Sequence, residues 1–200
     1  VVPFDPSVLS NARLPLHIGM DFNIDPMSAV VSVIQGDTIH IIDEIEIYSS
    51  NTMEMIREIQ NRYPHRISMV YPDASGGSQK TSAAGITDHL LLHNAGYTVK
   101  VGKTNPPVID RINSVNSMLQ SSSGERKLLI DPKCKKLREA LIKHTYKEGT
   151  RQPEKDNAMD YSHMNDALGY VVYHNFAVRK QLNDMEMGAH RRRSTGRMRS

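Results

Sequence analysis

Residues 16–47 hold three apolar segments with almost nothing between them, and no other feature restricts the fold more. Residues 16–21 (Leu-His-Ile-Gly-Met-Asp), 28–34 (Ser-Ala-Val-Val-Ser-Val-Ile) and 38–47 (Thr-Ile-His-Ile-Ile-Asp-Glu-Ile-Glu-Ile) are joined by short polar stretches, Gln35-Gly36-Asp37 among them. Such connections leave no room for a crossover helix, so the three strands form an antiparallel meander. Beyond residue 50 the period changes. Thr52 is placed to cap a helix with Met53, Ile56 and Ile59 on one face, and Tyr63-Pro64 leads into a fourth strand at 67–72. A Gly/Ser loop over 75–82 then opens a helix carrying Ile86 and Leu90, which Gly96 closes before a strand at 97–101. Strand, helix, strand in that order calls for parallel pairing.

The remainder is helical, with one interruption. Pro106-Pro107 starts a helix on which Val108, Ile112, Val115 and Leu119 recur at helical spacing, and residues 121–124 end it. An apolar piece at 127–130 precedes a helix near 132–143. After the polar loop 147–160, a last helix carries Met164, Ala167, Leu168, Val171 and Val172. The expected fold is an α/β mixed sheet of ribonuclease H-like topology, three antiparallel strands followed by parallel strands with helices on both faces.

Composition sets the outer limits. Two hundred residues suit one α/β unit, and 38% hydrophobic with 24% charged residues excludes disorder of the whole chain. Residues 1–15, with Pro3, Pro6 and Pro15, read as a linker or arm, 16–178 as the domain and 179–200 as a flexible basic tail. A chain that starts without Met is expected to be a C-terminal piece of a longer one. No apolar run is long enough to span a membrane and no signal peptide is recognisable, so the expected location is the cytoplasm, with no membrane partner. The single cysteine, Cys134, excludes an internal disulfide and a thiolate metal cluster, and reads as a packing residue on a helix. The net charge of +3 belongs to the end of the chain, where Arg191, Arg192, Arg193, Arg197 and Arg199 outweigh a slightly acidic remainder. Such a tail is either a solvated end or an electrostatic contact with nucleic acid or an acidic partner surface.

Three aspartates stand where an apolar element ends or the last helix begins: Asp21, Asp73 in Tyr71-Pro-Asp73, and Asp166 in His163-Met-Asn-Asp166. A carboxylate there is costly to desolvate unless it is paired or binds a cation. Each alone reads as a turn or helix cap. Together, in this topology, they point to one shared site for divalent ions, the arrangement used to hydrolyse phosphodiesters.

The stretches Gly19-Met-Asp21-Phe22, Tyr71-Pro-Asp73-Ala74 and Asp160-Tyr-Ser-His163-Met-Asn-Asp166-Ala-Leu-Gly-Tyr170, in this order and spacing, resemble the C-terminal nuclease domain of the large terminase subunit of tailed bacteriophages, over roughly residues 14–176. The resemblance implies a metal-dependent endonuclease cutting concatemeric double-stranded DNA at the start and end of packaging. It puts Asp21, Asp73 and Asp166 on the family's metal-binding acids, with two Mg²⁺ or Mn²⁺ ions as cofactors. It implies an ATPase domain N-terminal of this chain, with the small terminase subunit and the portal of the procapsid as partners and the host cytoplasm as location. Lys103 and Arg111 resemble the family's basic positions and are candidates to hold the DNA backbone, with solvated surface charge the plainer reading of each.

Other residues compete. Glu44 is a further candidate metal ligand, although Asp43 and Glu44 alternate in direction and one of them is free to face solvent. Asp25 and Asp160 read as turn or capping groups held in reserve, and His163 as an auxiliary that orients water or contacts phosphate. In Gly76-Gly-Ser-Gln-Lys80-Thr81, Gln79 stands where a P-loop needs glycine, so no nucleotide is expected here, while Lys80 is placed to meet a DNA phosphate. No helix-turn-helix or zinc finger is recognisable, so cutting with little sequence preference is expected. A Holliday-junction resolvase or transposase of the same fold, and a non-catalytic docking module, are the alternatives.

Overall fold

The computed structural model describes residues 7, 13–77, 86–143 and 161–178. Six strands form one mixed sheet: β1 Leu16–Asp21, β2 Met27–Gln35, β3 Thr38–Ile47, β4 Ser68–Pro72, β5 Thr98–Val99 and β6 Leu128–Ile130, in the order β5-β4-β1-β2-β3-β6. The meander pairs antiparallel, while β4 joins β1 in parallel, β5 joins β4 and β6 joins β3. The helices are α1 Thr52–Arg62, α2 Asp88–Asn94, α3 Val108–Leu119, α4 Lys135–Lys143 and α5 Ser162–Phe176. Among the described residues no helix is long and apolar enough to cross a membrane.

Alternation along β1 builds two cores. Leu16, Ile18 and Met20 face α1 and α2, where Met55, Ile56, Ile59 and Leu92 complete one core. His17, Gly19 and Asp21 therefore turn to the opposite face, where Val115, Met118, Leu137, Ala167, Leu168 and Val171 form the second core. The helix α5 is buried without a break from Ala167 to Val172, which is why its apolar residues cover so much of its circumference.

Local details differ from the sequence expectation. Asn51, not Thr52, caps α1, its side chain accepting from the Glu54 N–H at 3.1 Å, and Thr52 is buried with its hydroxyl donated to Asp88 at 2.7 Å. Ile56 and Ile59 are buried as expected, but Met53 and Leu90 are exposed at 39% and 48%, and Met55 and Leu91 take their buried places. Ile86 precedes α2, which Thr87 caps. The strand expected at 97–101 keeps only Thr98 and Val99, where it pairs with Met69 and Val70. Cys134 is buried just ahead of α4, and burial pushes its thiol up to about 12, which leaves it inert at neutral pH.

A candidate metal centre at the ends of parallel strands

The parallel register of β1 and β4 pairs Met20 with Pro72, so Asp21 and Asp73 leave the sheet side by side at its carboxyl edge. The Asp73 N–H donates to the Met20 carbonyl at 3.0 Å and extends the ladder by one step. In open sheets of this kind, ligands sit beyond that edge.

Gly19 brings in the third acid. A Cβ there would stand 1.9 Å from the Ala167 carbonyl oxygen, so only glycine lets β1 and α5 approach this closely. With Ala167 on Gly19, its neighbour Asp166 comes within electrostatic reach of Asp21. Burial pushes the Asp166 carboxyl above the usual aspartate range and the charge on Asp21 adds to this, while Arg111 opposes it. The three acids share one neighbour, since the Tyr170 phenol, raised first by burial, is raised further by the charges of Asp73, Asp166 and Asp21.

Each carboxylate is held by different means. Asp21 is 6% exposed and accepts from, or shares a proton with, His163 Nδ1 at 2.7 Å, whose Nε2 lies 2.6 Å from the Asn23 amide. Asp166 accepts from Arg111 Nη1 at 2.7 Å. Asp73 accepts through Oδ1 from the Ser75 N–H at 2.7 Å and from Asn105 Nδ2 at 2.6 Å, and Asn105 Oδ1 in turn accepts from the Ala74 N–H at 2.7 Å. His89 Nε2 donates to the Asp73 carbonyl at 2.8 Å.

Arg111 corrects both sequence readings. Expected on the DNA backbone or in solvent, it is 5% exposed, bound to Asp166 and laid 4.5 Å from the centroid of the Tyr170 ring. Gly169 makes space for it, since a Cβ there would lie 3.2 Å from the Arg111 Cβ. Asn105 is a site residue that sequence reasoning misses. The one available signal is its place before Pro106-Pro107, since a following proline biases residue 105 toward extended backbone.

The remaining candidates are dispersed. Glu44 accepts from the Lys136 and Leu137 N–H groups at 2.9 and 2.7 Å and so caps α4. A bulge at Ile42 in the β2–β3 ladder decides this: it turns Asp43 toward α1, where Tyr63 and Arg62 each donate at 3.0 Å, and Glu44 toward α4. Neither acid is left to solvent. Asp25 accepts from the Ser49 N–H at 3.2 Å and serves the turn before β2. Lys103 is exposed in the loop after β5. Asp160, Lys80 and the tail residues Arg191, Arg192, Arg193, Arg197 and Arg199 lie outside the described residues.

The donors offered by Asp21, Asp73 and Asp166 are all carboxylate oxygens, the type that Mg²⁺ and Mn²⁺ select. As they stand, among the described residues no three of His, Cys, Asp and Glu are grouped so as to hold an ion. Asp166 is instead paired with Arg111, and Asp21 with the His163 ring.

The sheet order and the acids at its carboxyl edge define a ribonuclease H-like domain. Residues 18–175 match the family model of the terminase RNaseH-like domain, and the chain belongs to that family. Among solved structures, the large terminase of a thermophilic bacteriophage is 17% identical with a TM-score of 0.63, over 80% of this chain and 39% of that one. The nuclease domain of the P22 large terminase is 14% identical with a TM-score of 0.57, covering 82% and 83%. The large terminase nuclease domain of bacteriophage SPP1, solved with bound Mn, is 18% identical with a TM-score of 0.54, covering 88% and 100%. At these identities the likeness is one of fold, and the chain spans well under half the length of the thermophilic phage protein. No curated protein matches the chain.

Proposed function

We propose that this domain is the metal-dependent endonuclease of a viral DNA-packaging terminase, cutting concatemeric double-stranded DNA with little sequence preference when packaging starts and ends. The observation that carries the reading is the in-register exit of Asp21 and Asp73 from adjacent parallel strands, with Asp166 drawn alongside by the contact of Gly19 with Ala167.

Asp21, Asp73 and Asp166 would hold two Mg²⁺ or Mn²⁺ ions, which when bound supply a hydroxide at neutral pH and a counter-charge for the leaving oxygen. The chain's own residues prepare the site. Asn105 and the Ser75 N–H fix one oxygen of Asp73 and leave the other for a ligand. Arg111 keeps Asp166 oriented despite the burial that disfavours its charge. His163 orients Asp21 by donating its Nδ1–H, while Asn23 donates to the other ring nitrogen and fixes that tautomer.

The partners in this reading are double-stranded DNA, an ATPase domain of the same polypeptide, the small terminase subunit and the portal, all in the host cytoplasm. Lys103 and Lys80 contact the DNA backbone, and the tail arginines dock on the portal. A full-length terminase cut back at residue 190 should then cleave normally and fail to package, and normal packaging would refute the docking. For the activity itself, supercoiled plasmid should be nicked in Mg²⁺ or Mn²⁺ and spared in EDTA. Cutting that persists in EDTA would overturn the reading.

A further inference from the structure

A cleft of about 500 Å³ opens between the end of β4, the loop 100–107 and α5. Its size is typical of small-ligand sites, which run from about 300 to 1,000 Å³. Tyr71 and Tyr170, nearly buried, form its floor; Tyr173 is half-buried and His174 exposed. Among the described residues that line it, Lys100 is the only lysine or arginine and none carries a carboxylate. The Tyr71 hydroxyl is engaged by His17 Nδ1 at 2.7 Å and by Asn175 at 3.4 Å, which fixes the floor.

Two lining residues join this cleft to the acids. Asn105 is also the clamp on Asp73, and Tyr170 carries the Arg111 guanidinium that binds Asp166. The two neighbouring surfaces therefore have opposite characters. Clustered carboxylates repel a phosphate until cations are bound, whereas rings beside an ammonium stack a base and meet the phosphate that follows it.

We propose that the cleft holds the unpaired end of a DNA strand beside the cut, with one base stacked on Tyr173 and a neighbouring phosphate on Lys100. The position beside the cut rests on the nuclease reading above. A paired base hides its faces in the duplex, so the occupant is a strand that has frayed or been nicked. The cleft would thus hold one product strand while the second is cut.

The test is binding of a thymidine oligomer carrying one 2-aminopurine to the whole chain in EDTA, where no cutting competes. The wild type should quench the probe. Tyr173→Ala should weaken binding by about 5- to 150-fold, the worth of one stacked base, while Tyr173→Phe binds as wild type. Lys100→Ala should lower affinity and flatten its salt dependence, and Lys100→Arg should restore both. The arginine tail is common to all variants and shifts every affinity alike. Binding by a correctly melting Tyr173→Ala chain that equals wild type would overturn the proposal. So would an equal loss in Tyr173→Phe, equal ring-dependent binding of intact duplex, or competition by thymidine monophosphate at the oligomer's own concentration. A wild-type chain that binds the oligomer through the ring but never cuts plasmid in Mg²⁺ or Mn²⁺ removes the nuclease reading and leaves the cleft standing. One that cuts, with binding indifferent to Tyr173, removes the cleft alone.

Discussion

Glu44 and Asp166 both meet helices on the same face of the sheet, and they are satisfied in opposite ways. Glu44 takes two backbone N–H groups of α4, whereas Asp166 takes one guanidinium from the long side chain of Arg111. Backbone amides cannot withdraw without unwinding the helix, so Glu44 is a fixed cap. A side-chain partner such as the Arg111 guanidinium can be removed without unwinding α5, and under the proposed function it is the kind of partner a bound cation would replace. An acid's partner is therefore a better guide to its role than its burial or its place in the sequence.

The largest expected effect separates the two kinds of acid directly. Asp21→Asn, Asp73→Asn and Asp166→Asn should each bring plasmid cutting below detection. The melting temperature should hold or rise in the first two, where repulsion between the acids is relieved, and fall in Asp166→Asn, which leaves the buried Arg111 without its counter-charge. Glu44→Ala should do the reverse, costing about 1 kcal/mol of stability as other lost helix caps do, with cutting retained below the melting point. A folded Glu44→Ala chain without activity would break the comparison.

Asn105→Ala should lower the affinity for Mn²⁺ by about 10- to 100-fold, as loss of a group that orients a ligand commonly does, read from the metal dependence of the cutting rate. An unchanged metal dependence would reduce Asn105 to a loop contact.

Arg111→Met tests exchangeability. In EDTA it should destabilise the chain by about 1–2 kcal/mol, less than a fully buried pair would lose because Asp166 is 32% exposed. Adding Mg²⁺ or Mn²⁺ should then raise its melting temperature more than that of the wild type. Equal gains in the two proteins would show that Arg111 and the ion do not share a place.

The smallest effect contrasts two histidines. His163 has an acid beside it, whereas His17 is buried against the Tyr71 hydroxyl, and burial, with repulsion from His174 second, lowers its pKa from 6.5. The unfolded chain then binds the proton that the folded chain refuses, so stability is full above about pH 6.5 and declines as the pH falls through that value. His17→Gln should flatten the melting temperature between about pH 7.5 and 5.5. A slope equal to the wild type's would move the effect to another group.

How much is legible in the sequence follows from the range of each interaction. The ends of β1 and β3, the start of α3 behind Pro107, the burial of Met164, Ala167, Leu168, Val171 and Val172, and the three aspartates at element ends all follow from local pattern. The roles of Asn51 and Thr52 are not legible, because two adjacent residues with equal capping chemistry differ only in what Asp88, thirty-six residues from Thr52, binds. The strand after α2 reads as longer than it is because its alternation continues past the point where β4 offers it a partner.

The sequence by itself determined the meander and the switch to parallel pairing, and it singled out the three aspartates as candidates, because hydrophobic period and strand ends are written within a few residues. Only the tertiary structure decided which acids share a neighbourhood and what holds each one. The approach of β1 to α5 at Gly19, the bulge at Ile42 that hands Glu44 to α4, the burial of Arg111 and the reach of Asn105 to Asp73 all join residues far apart in the chain. Such contacts depend on how whole elements pack, and one-residue shifts or single missing Cβ atoms settle them.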